Sequence, residues 1–149
     1  MGMKCRAAFA GVAALFLLFG CSAEKPPLKP DNAINETISR QLAESPDLML
    51  DEVTAPWDTV LIDSAYSAPT SLETLKVSNR CQIQDIPYED ETIVLVFLRG
   101  HRAVSYTYIR FSEEQETAIF QQYLYQNTGR VYPPGTIFST SEKTPGKPE

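Results

Sequence analysis

The chain has 149 residues, of which 13 are Lys or Arg and 19 are Asp or Glu, and its formal net charge is −6. Its single His and its three Cys, which include no CxxC pair, exclude a zinc site built from several histidines or paired cysteines, so we expect no metal and no cofactor. The acidic balance disfavours nucleic acid as a partner, because binding phosphates requires clustered Lys and Arg.

The first 20 residues have the pattern of a secretion signal. Lys4 and Arg6 form a basic start, and an uncharged apolar run follows over residues 7–19. This run is shorter than the roughly 20 apolar residues that a membrane-spanning helix needs. The pattern therefore predicts a cleaved signal peptide over residues 1–20 rather than a transmembrane helix.

The signal ends in Leu18-Phe19-Gly20-Cys21, which resembles the lipobox of bacterial lipoproteins. The resemblance implies cleavage after Gly20 and acylation of Cys21, so that acyl chains hold the protein on a membrane without spanning it. Ser22 stands where a signal for retention in the inner membrane has Asp. The resemblance therefore implies a place in the bacterial cell envelope, at the outer membrane and facing the periplasm.

The rest of the chain divides into three segments. Residues 21–31 hold the lipidated Cys and three Pro, and in polyproline II geometry they form a tether that keeps the body about 30 Å from the membrane. Residues 32–138 form a single domain. Residues 139–149 contain no large apolar side chain and are expected to be a disordered tail.

The first half of the domain favours two helices and a strand. Apolar residues recur at a spacing of four over residues 32–43, after Asp31 or Asn32 as N-cap, and predict an amphipathic helix. Residues 57–63 are rich in β-branched and aromatic side chains and predict a strand, in which Trp57 is expected to be a core residue. A short helix is expected over residues 70–77, and a loop with a candidate strand at 81–83 follows it.

The clearest local pattern is a β-hairpin over residues 92–111. Residues 92–98 are apolar on both faces, residues 99–102 form a turn around Gly100, and the residues after the turn alternate. The alternation places Val104, Tyr106, Tyr108 and Arg110 on one face of the second strand.

The end of the domain predicts a helix and a short strand. Residues 112–115 match a capping box that opens a helix, the helix is expected to end near Gly129, and the strand is expected at Val131 or at residues 137–138. The elements together predict an α+β fold, in which a small, mainly antiparallel sheet of three to five strands packs against two or three helices.

Cys81 is the sole remaining thiol once Cys21 is acylated and Cys5 is removed with the signal peptide. We expect no intramolecular disulfide on that basis. Three roles stay open for Cys81: a small buried hydrophobe, an intermolecular disulfide in a dimer or a mixed disulfide, or, least favoured, a nucleophile with His101 as its base.

The hairpin supplies a basic tip. Arg99, His101, Arg102 and Arg110 lie within residues 92–112, which contain no Asp or Glu. Such a tip suits an acidic partner, lipopolysaccharide or anionic lipid headgroups. The favoured alternative is a turn that is charged merely because it is solvated.

The same hairpin supplies a candidate protein contact. Tyr106, Tyr108 and Arg110 at alternate positions have the composition of an interface hot spot. Packing of the tyrosines in the core is the favoured alternative.

Catalytic motifs are not evident. The acids form no pair with the spacing of a glycosidase or a calcium loop, and the domain's glycines are isolated, so they form no phosphate-binding loop. We therefore expect a protein that is not an enzyme and has no catalytic residues.

Residues 57–66 and 95–106 resemble a loose group of small bacterial envelope proteins. In that group a strand that starts with Trp and ends near a Tyr is followed by a hairpin with a Gly in its turn. In this chain Trp57 starts the strand, Tyr66 follows its end, and Gly100 lies in the hairpin turn. The matched positions are structural, so no functional residue is carried over. The resemblance implies a protein-binding lipoprotein that gives immunity to, or inhibits, a secreted toxin. An accessory lipoprotein of an envelope assembly or secretion complex is the alternative, and a periplasmic hydrolase is the least favoured.

Overall fold

In the computed structural model the described residues are 25–50, 56–90, 92–110, 124 and 128–139. They confirm the predicted α+β fold, with helices packed on antiparallel sheets. No helix within these ranges is long and apolar enough to cross a membrane. In chain order the elements are α1 (Asn32–Glu44), β1 (Asp47–Met49), β2 (Thr59–Ser64), α2 (Ala68–Thr74), a 3₁₀ turn (Arg80–Gln82), β3 (Ile93–Arg99), β4 (Arg102–Ile109), β5 (Arg130–Tyr132) and β6 (Ile137–Ser139).

The larger sheet has four antiparallel strands in the order β4-β3-β2-β5. β3 lies inside the sheet because its first six residues are apolar and buried, so that both of its faces need cover. β1 and β6 form a separate antiparallel pair, in which buried Leu48 lies opposite buried Phe138.

Each face of the four-stranded sheet carries a hydrophobic cluster. On one face α1 contributes Ile34 and Ile38, and Trp57 packs edge-on against Phe97 with ring centroids 5.3 Å apart. On the other face α2 contributes Leu72, which belongs to a cluster with the opposite side of β2, β3 and β4. Trp57 therefore packs against the core, as its place before a strand indicated.

The hairpin of β3 and β4 forms as predicted, but its faces differ from the prediction. A β-bulge shifts the register between Phe97 and Leu98 of β3. As a result Ala103 packs in the cluster of Tyr106, whereas Val104 packs in the cluster on the opposite face. The predicted common face of Val104 and Tyr106 is therefore wrong, because strict alternation does not account for the extra residue of a bulge.

β4 is an edge strand of the sheet. Groups from other segments form hydrogen bonds with backbone N–H and C=O groups along its free edge. The side chain of Asn79 accepts the N–H of Ala103 at 2.8 Å and donates to the carbonyl of Ala103 at 2.9 Å. The N–H of Asp31 donates to the carbonyl of Tyr106 at 2.8 Å, and the side-chain amide of Asn35 donates to the carbonyl of Tyr108 at 3.0 Å. Such bonds prevent an edge strand from pairing with another chain.

The helical segments before β3 differ in detail from the prediction. α1 has Asp31 as its N-cap, as expected. α2 begins at Ala68, earlier than predicted, because a Pro fits the first turn of a helix. The candidate strand at 81–83 is wrong: the chain forms the 3₁₀ turn there, and Ile83 makes only an isolated bridge to Leu28.

The C-terminal expectations are met in part. β5 and β6 both form, where one strand was expected at either place. The helix predicted from residue 112 lies outside the described residues except for Leu124, which is helical and buried. The signal peptide, Gly20, Cys21 and residues 140–149 also lie outside the described residues.

Candidate functional site

Tyr106 is a core residue. Its side chain is 0% exposed, and its hydroxyl donates to the carbonyl of Leu28 at 3.2 Å. Burial raises the pKa of this hydroxyl above the usual 10.0; the charges of Asp85 and Tyr108 also raise it, whereas a backbone hydrogen bond from Asp85 lowers it. The expectation of Tyr106 in a contact surface is therefore wrong, and core packing is confirmed for this residue.

The other predicted contact residues fall into two groups at opposite ends of β4. Arg99, His101 and Arg102 are exposed at the hairpin turn. Half-buried Tyr108 and exposed Arg110 lie at the far end, about 25 Å along the strand. The structure therefore does not bring the predicted set together into one surface.

The hairpin turn is held by the residues that follow α2. Nδ1 of His101 donates to the carbonyl of Leu75 at 3.0 Å, and both the N–H and the hydroxyl of Ser78 donate to the carbonyl of His101. The N–H of Gly100 donates to the carboxyl of Asp58 at 2.7 Å, which places an acid beside the basic tip. These contacts favour a solvated, structural turn over a basic binding site.

Two exposed tyrosines lie side by side at the other end of the sheet. Tyr66 follows β2 and is 57% exposed, and Tyr88 lies in the loop before β3 and is 60% exposed. Their ring centroids are 6.1 Å apart with planes at 46°, and the Tyr66 hydroxyl donates to the carbonyl of Tyr88 at 3.2 Å. Two large aromatic side chains are thus paired on the protein surface.

The backbone of Thr92, which is buried before the first residue of β3, holds both tyrosines in place. Its carbonyl accepts the N–H of Ala65, the neighbour of Tyr66, at 2.9 Å. Its N–H donates to the carbonyl of Glu89, the neighbour of Tyr88, at 3.3 Å. The pair is therefore positioned before any partner arrives, which lowers the entropic cost of binding.

Charged residues border the pair. Oε2 of Glu89 lies 3.6 Å from Nε of Arg110, and Cζ of Arg110 lies 5.4 Å from the centroid of the Tyr108 ring. An exposed ion pair contributes only about 0–1 kcal/mol, so this one mainly orients the side chains. We call Tyr66, Tyr88, Glu89, Tyr108 and Arg110 the tyrosine surface.

The composition of the tyrosine surface suits contact with a protein. Tyr and Arg are enriched at interface hot spots, where an aromatic ring supplies contact area and a hydroxyl or guanidinium supplies hydrogen bonds. Glu89 and Arg110 give the rim one charge of each sign. The surface can therefore bind a partner by apolar contact at its centre and by polar contact at its edge.

Cys81 differs from its expected state. It lies exposed in the 3₁₀ turn, so the expectation of a buried thiol is wrong, because this turn directs Ile83 rather than Cys81 into the core. Cys81 is disulfide-bonded, against the expectation that it has no partner within the chain. Its partner lies outside the described residues, and the sequence contains two other cysteines, Cys5 and Cys21. A sulfur bonded within the chain cannot also bridge to a second molecule, so the dimer disulfide stays a prediction only for a chain in which this bond is not formed.

The buried carboxyl group of Asp63 joins β2 to α2. Asp63 is 2% exposed and accepts hydrogen bonds from the hydroxyl of Ser71 and from the N–H of Ser64. The donors lie in α2 and in β2 itself, so these hydrogen bonds stabilise the packing of the helix on the strand. Among the described residues, no group of three or more His, Cys, Asp or Glu could hold a metal ion.

The residues predicted for a contact surface do not include the central pair of the tyrosine surface, Tyr66 and Tyr88. Tyr66 is the Tyr that ends the strand in the resemblance to envelope proteins, and Tyr88 falls in a predicted loop. The signal for Tyr88 was present: a large aromatic residue follows Pro87 in an otherwise acidic stretch. The pairing itself has no local signal, because the two residues are 22 positions apart.

A scan against protein-family models finds no match, and searches of curated proteins and of solved structures find no match either.

Proposed function

We propose that this chain is a non-catalytic, lipid-anchored protein whose domain binds another protein through the tyrosine surface. The observation that carries the binding proposal is the Tyr66–Tyr88 pair, which is exposed yet held in place. Single exposed apolar residues are normal on a protein, whereas two adjacent aromatic rings form a patch that a partner can cover.

The proposed anchor is acylated Cys21 in the outer membrane, with the domain facing the periplasm. Residues 18–21, with their resemblance to a lipobox, support it. Cys21→Ala is expected to release the protein from membranes. Release of the wild type by alkaline carbonate, or retention of the variant after its signal peptide has been removed, would contradict the anchor.

The disulfide at Cys81 provides a second test of the anchor. A thiol that carries a thioether-linked lipid cannot also form a disulfide, so an acylated Cys21 and a Cys21–Cys81 bond exclude each other in one molecule. Peptide mapping of the membrane-bound protein without reductant is expected to find the lipid on Cys21. A peptide that links Cys21 to Cys81 in most molecules would contradict acylation.

Site-specific photo-crosslinking in native membranes tests the binding surface. A crosslinking residue at Tyr88 in the full-length protein is expected to capture one protein partner. Tyr66→Ala with Tyr88→Ala is expected to lower affinity for that purified partner at least about tenfold, the loss typical of hot-spot residues. Arg99→Ala with Arg102→Ala, at the opposite end of β4, is the matched control and should bind normally. Equal binding by the tyrosine variant would contradict the proposal.

The partner that we propose is a secreted toxin, which the protein neutralises. The resemblance of residues 57–66 and 95–106 to envelope proteins supports this class. Deletion of the protein is expected to be harmful only when the captured partner is also present. An envelope defect in the deletion strain without that partner would instead favour an accessory role in an envelope complex.

A further inference from the structure

Residues 25–31, which we call the strap, contact the domain instead of extending away from it. The N–H of Leu28 donates to the carbonyl of Gln82 at 2.8 Å, and the Gln82 side chain donates to the carbonyl of Pro26 at 3.2 Å. Leu28 forms a parallel bridge with Ile83 and packs against the core cluster under α2. The strap is thus fixed along the 3₁₀ turn.

The strap then passes around the edge of the sheet. The carbonyl of Leu28 accepts the hydroxyl of Tyr106 on one face of β4, and the N–H of Asp31 donates to the Tyr106 carbonyl at the edge. Helix α1 follows at once and places Ile34 and Ile38 in the cluster on the other face. Contacts on both faces make residues 26–38 part of the domain.

This docking shortens the distance between the proposed anchor and the domain. Five residue steps separate Cys21 from Pro26, the first strap residue bonded to the 3₁₀ turn, and five extended steps span at most about 18 Å. The tether expected from the proline content would hold the domain about 30 Å away. The anchored domain must therefore lie against the membrane with the 3₁₀ turn towards it.

The strap carries two exposed lysines although the chain is acidic. Lys25 and Lys29 are exposed on the strap, and half-buried Arg80 lies at the start of the 3₁₀ turn, where its guanidinium donates to the carbonyl of Val77 at 3.5 Å. Residues 25–31 and 80–85 contain two acids, Asp31 and Asp85, against these three cations, and the carboxyl of Asp31 accepts the N–H of Ala33 at the start of α1. Because screening limits such charges to about one Debye length, roughly 8 Å, they act on lipid only if the domain is held close.

We propose, on the basis of the lipid anchor proposed above, that the strap holds the domain against an anionic membrane surface, with Lys25 and Lys29 at the lipid headgroups. Anionic headgroups attract cations that lie near the bilayer. The strap thereby orients the domain and does not act as a flexible spacer.

Neutron reflectometry of the full-length acylated protein on supported bilayers tests this proposal. The gap between headgroups and protein is expected to stay within about 18 Å, and to be narrower on bilayers that contain phosphatidylglycerol than on phosphatidylcholine alone. Lys25→Gln with Lys29→Gln should abolish the difference between the two bilayers. Arg40→Gln with Arg130→Gln, exposed residues of α1 and β5, is the control with the same change in charge and should keep the difference.

A second variant tests the docking itself. Leu28→Ser with Gln82→Ala removes the apolar contact and the hydrogen bond from the Gln82 side chain to the carbonyl of Pro26, and the gap should widen towards about 30 Å. Circular dichroism checks that this variant is folded, and the lysine variant tests the proposal independently of it. A wild-type gap near 30 Å, or a gap that does not depend on the lipid, overturns the proposal while the anchor stands. Release of the wild type by carbonate overturns the anchor, and the proposal with it.

Discussion

The hydroxyl of Tyr106 donates a hydrogen bond to the carbonyl of Leu28 at 3.2 Å, which joins two residues that are 78 positions apart in the chain. Tyr106 is fully buried, so this contact fixes the N-terminal segment to the interior of the domain. A segment that reads as a spacer is thereby made part of the fold. The stability of the domain and the distance to its proposed anchor depend on the same bond.

Tyr106→Phe removes this hydrogen bond and keeps the ring. We expect a loss of about 1 kcal/mol in the free energy of unfolding, because the carbonyl of Leu28 loses one donor. Urea denaturation at neutral pH measures the loss. A variant as stable as the wild type would show that the hydroxyl contributes nothing to stability.

The same variant should change the response of the domain to alkali. Burial holds the folded-state pKa of Tyr106 above 10.0, so its contribution to stability is present below pH 10 and is lost as the pH rises through the folded value. The wild type is therefore expected to lose stability above about pH 10 more steeply than Tyr106→Phe. Thermal melting from pH 8 to pH 11 compares the two, and parallel curves would contradict this origin of the pH dependence.

Asn79→Ala should expose the edge of β4. The Asn79 side chain is bonded to both backbone groups of Ala103, and its loss leaves a donor and an acceptor without these partners. We expect a cost of about 2–3 kcal/mol and aggregation that increases with protein concentration.

Asn79→Asp is the matched control, because it keeps the acceptor for the N–H of Ala103 and loses the donor. Its carboxylate faces the carbonyl of Ala103, so it should be less stable than the wild type at neutral pH, and more stable at acidic pH, where a protonated carboxyl can donate. Denaturation together with light scattering measures both effects. If Asn79→Ala stays monomeric at high concentration, the side chain is not what protects the edge.

Ser71→Ala tests the contact between α2 and β2. The variant removes the hydroxyl that donates to the buried carboxyl group of Asp63, so we expect a loss of about 1–3 kcal/mol. Ser78→Ala is the control. The Ser78 hydroxyl lies on the surface and donates to the carbonyl of His101, to which the N–H of Ser78 also donates. The loss in stability should therefore stay below about 0.5 kcal/mol. Equal losses in the two variants would count against a special role of the buried pair.

Gly100→Ala tests the hairpin turn. Gly100 has a φ of +56°, and an added Cβ would meet no atom within 4 Å, so the cost is conformational rather than steric. We expect a loss of about 1 kcal/mol, and a smaller loss for Gly100→Asn, since Asn tolerates the left-handed region better. Denaturation midpoints of the two variants give the comparison, and equal losses would assign the cost to something other than the backbone angle.

Local patterns predicted the elements that depend on neighbouring residues. Helix α1 and its N-cap Asp31 follow from apolar residues at a spacing of four, and the hairpin follows from an apolar run with Gly100 at its turn. These signals act over a few residues, where backbone preference and the burial of one face decide the conformation. The α+β class then follows from the order of the elements.

Local patterns did not predict the candidate site. Tyr106 has the composition of a contact residue but is buried, because the strap and the loop with Asp85 pass over its face of β4. Tyr66 and Tyr88 meet because both of their loops bond to the backbone of Thr92 and because the Tyr66 hydroxyl donates to the Tyr88 carbonyl. The bulge beside Ala103 likewise changes which side chains share a face.

The sequence by itself determined the class of fold, the boundaries of its main helix and hairpin, and the acidic, cysteine-poor composition that disfavours nucleic acid and paired-cysteine zinc sites. The tertiary structure decided which tyrosines are buried and which are exposed, and it decided that the proline-rich segment docks on the domain. The physical reason is that these outcomes depend on hydrogen bonds and packing between residues that are 22 to 78 positions apart, which no local pattern encodes.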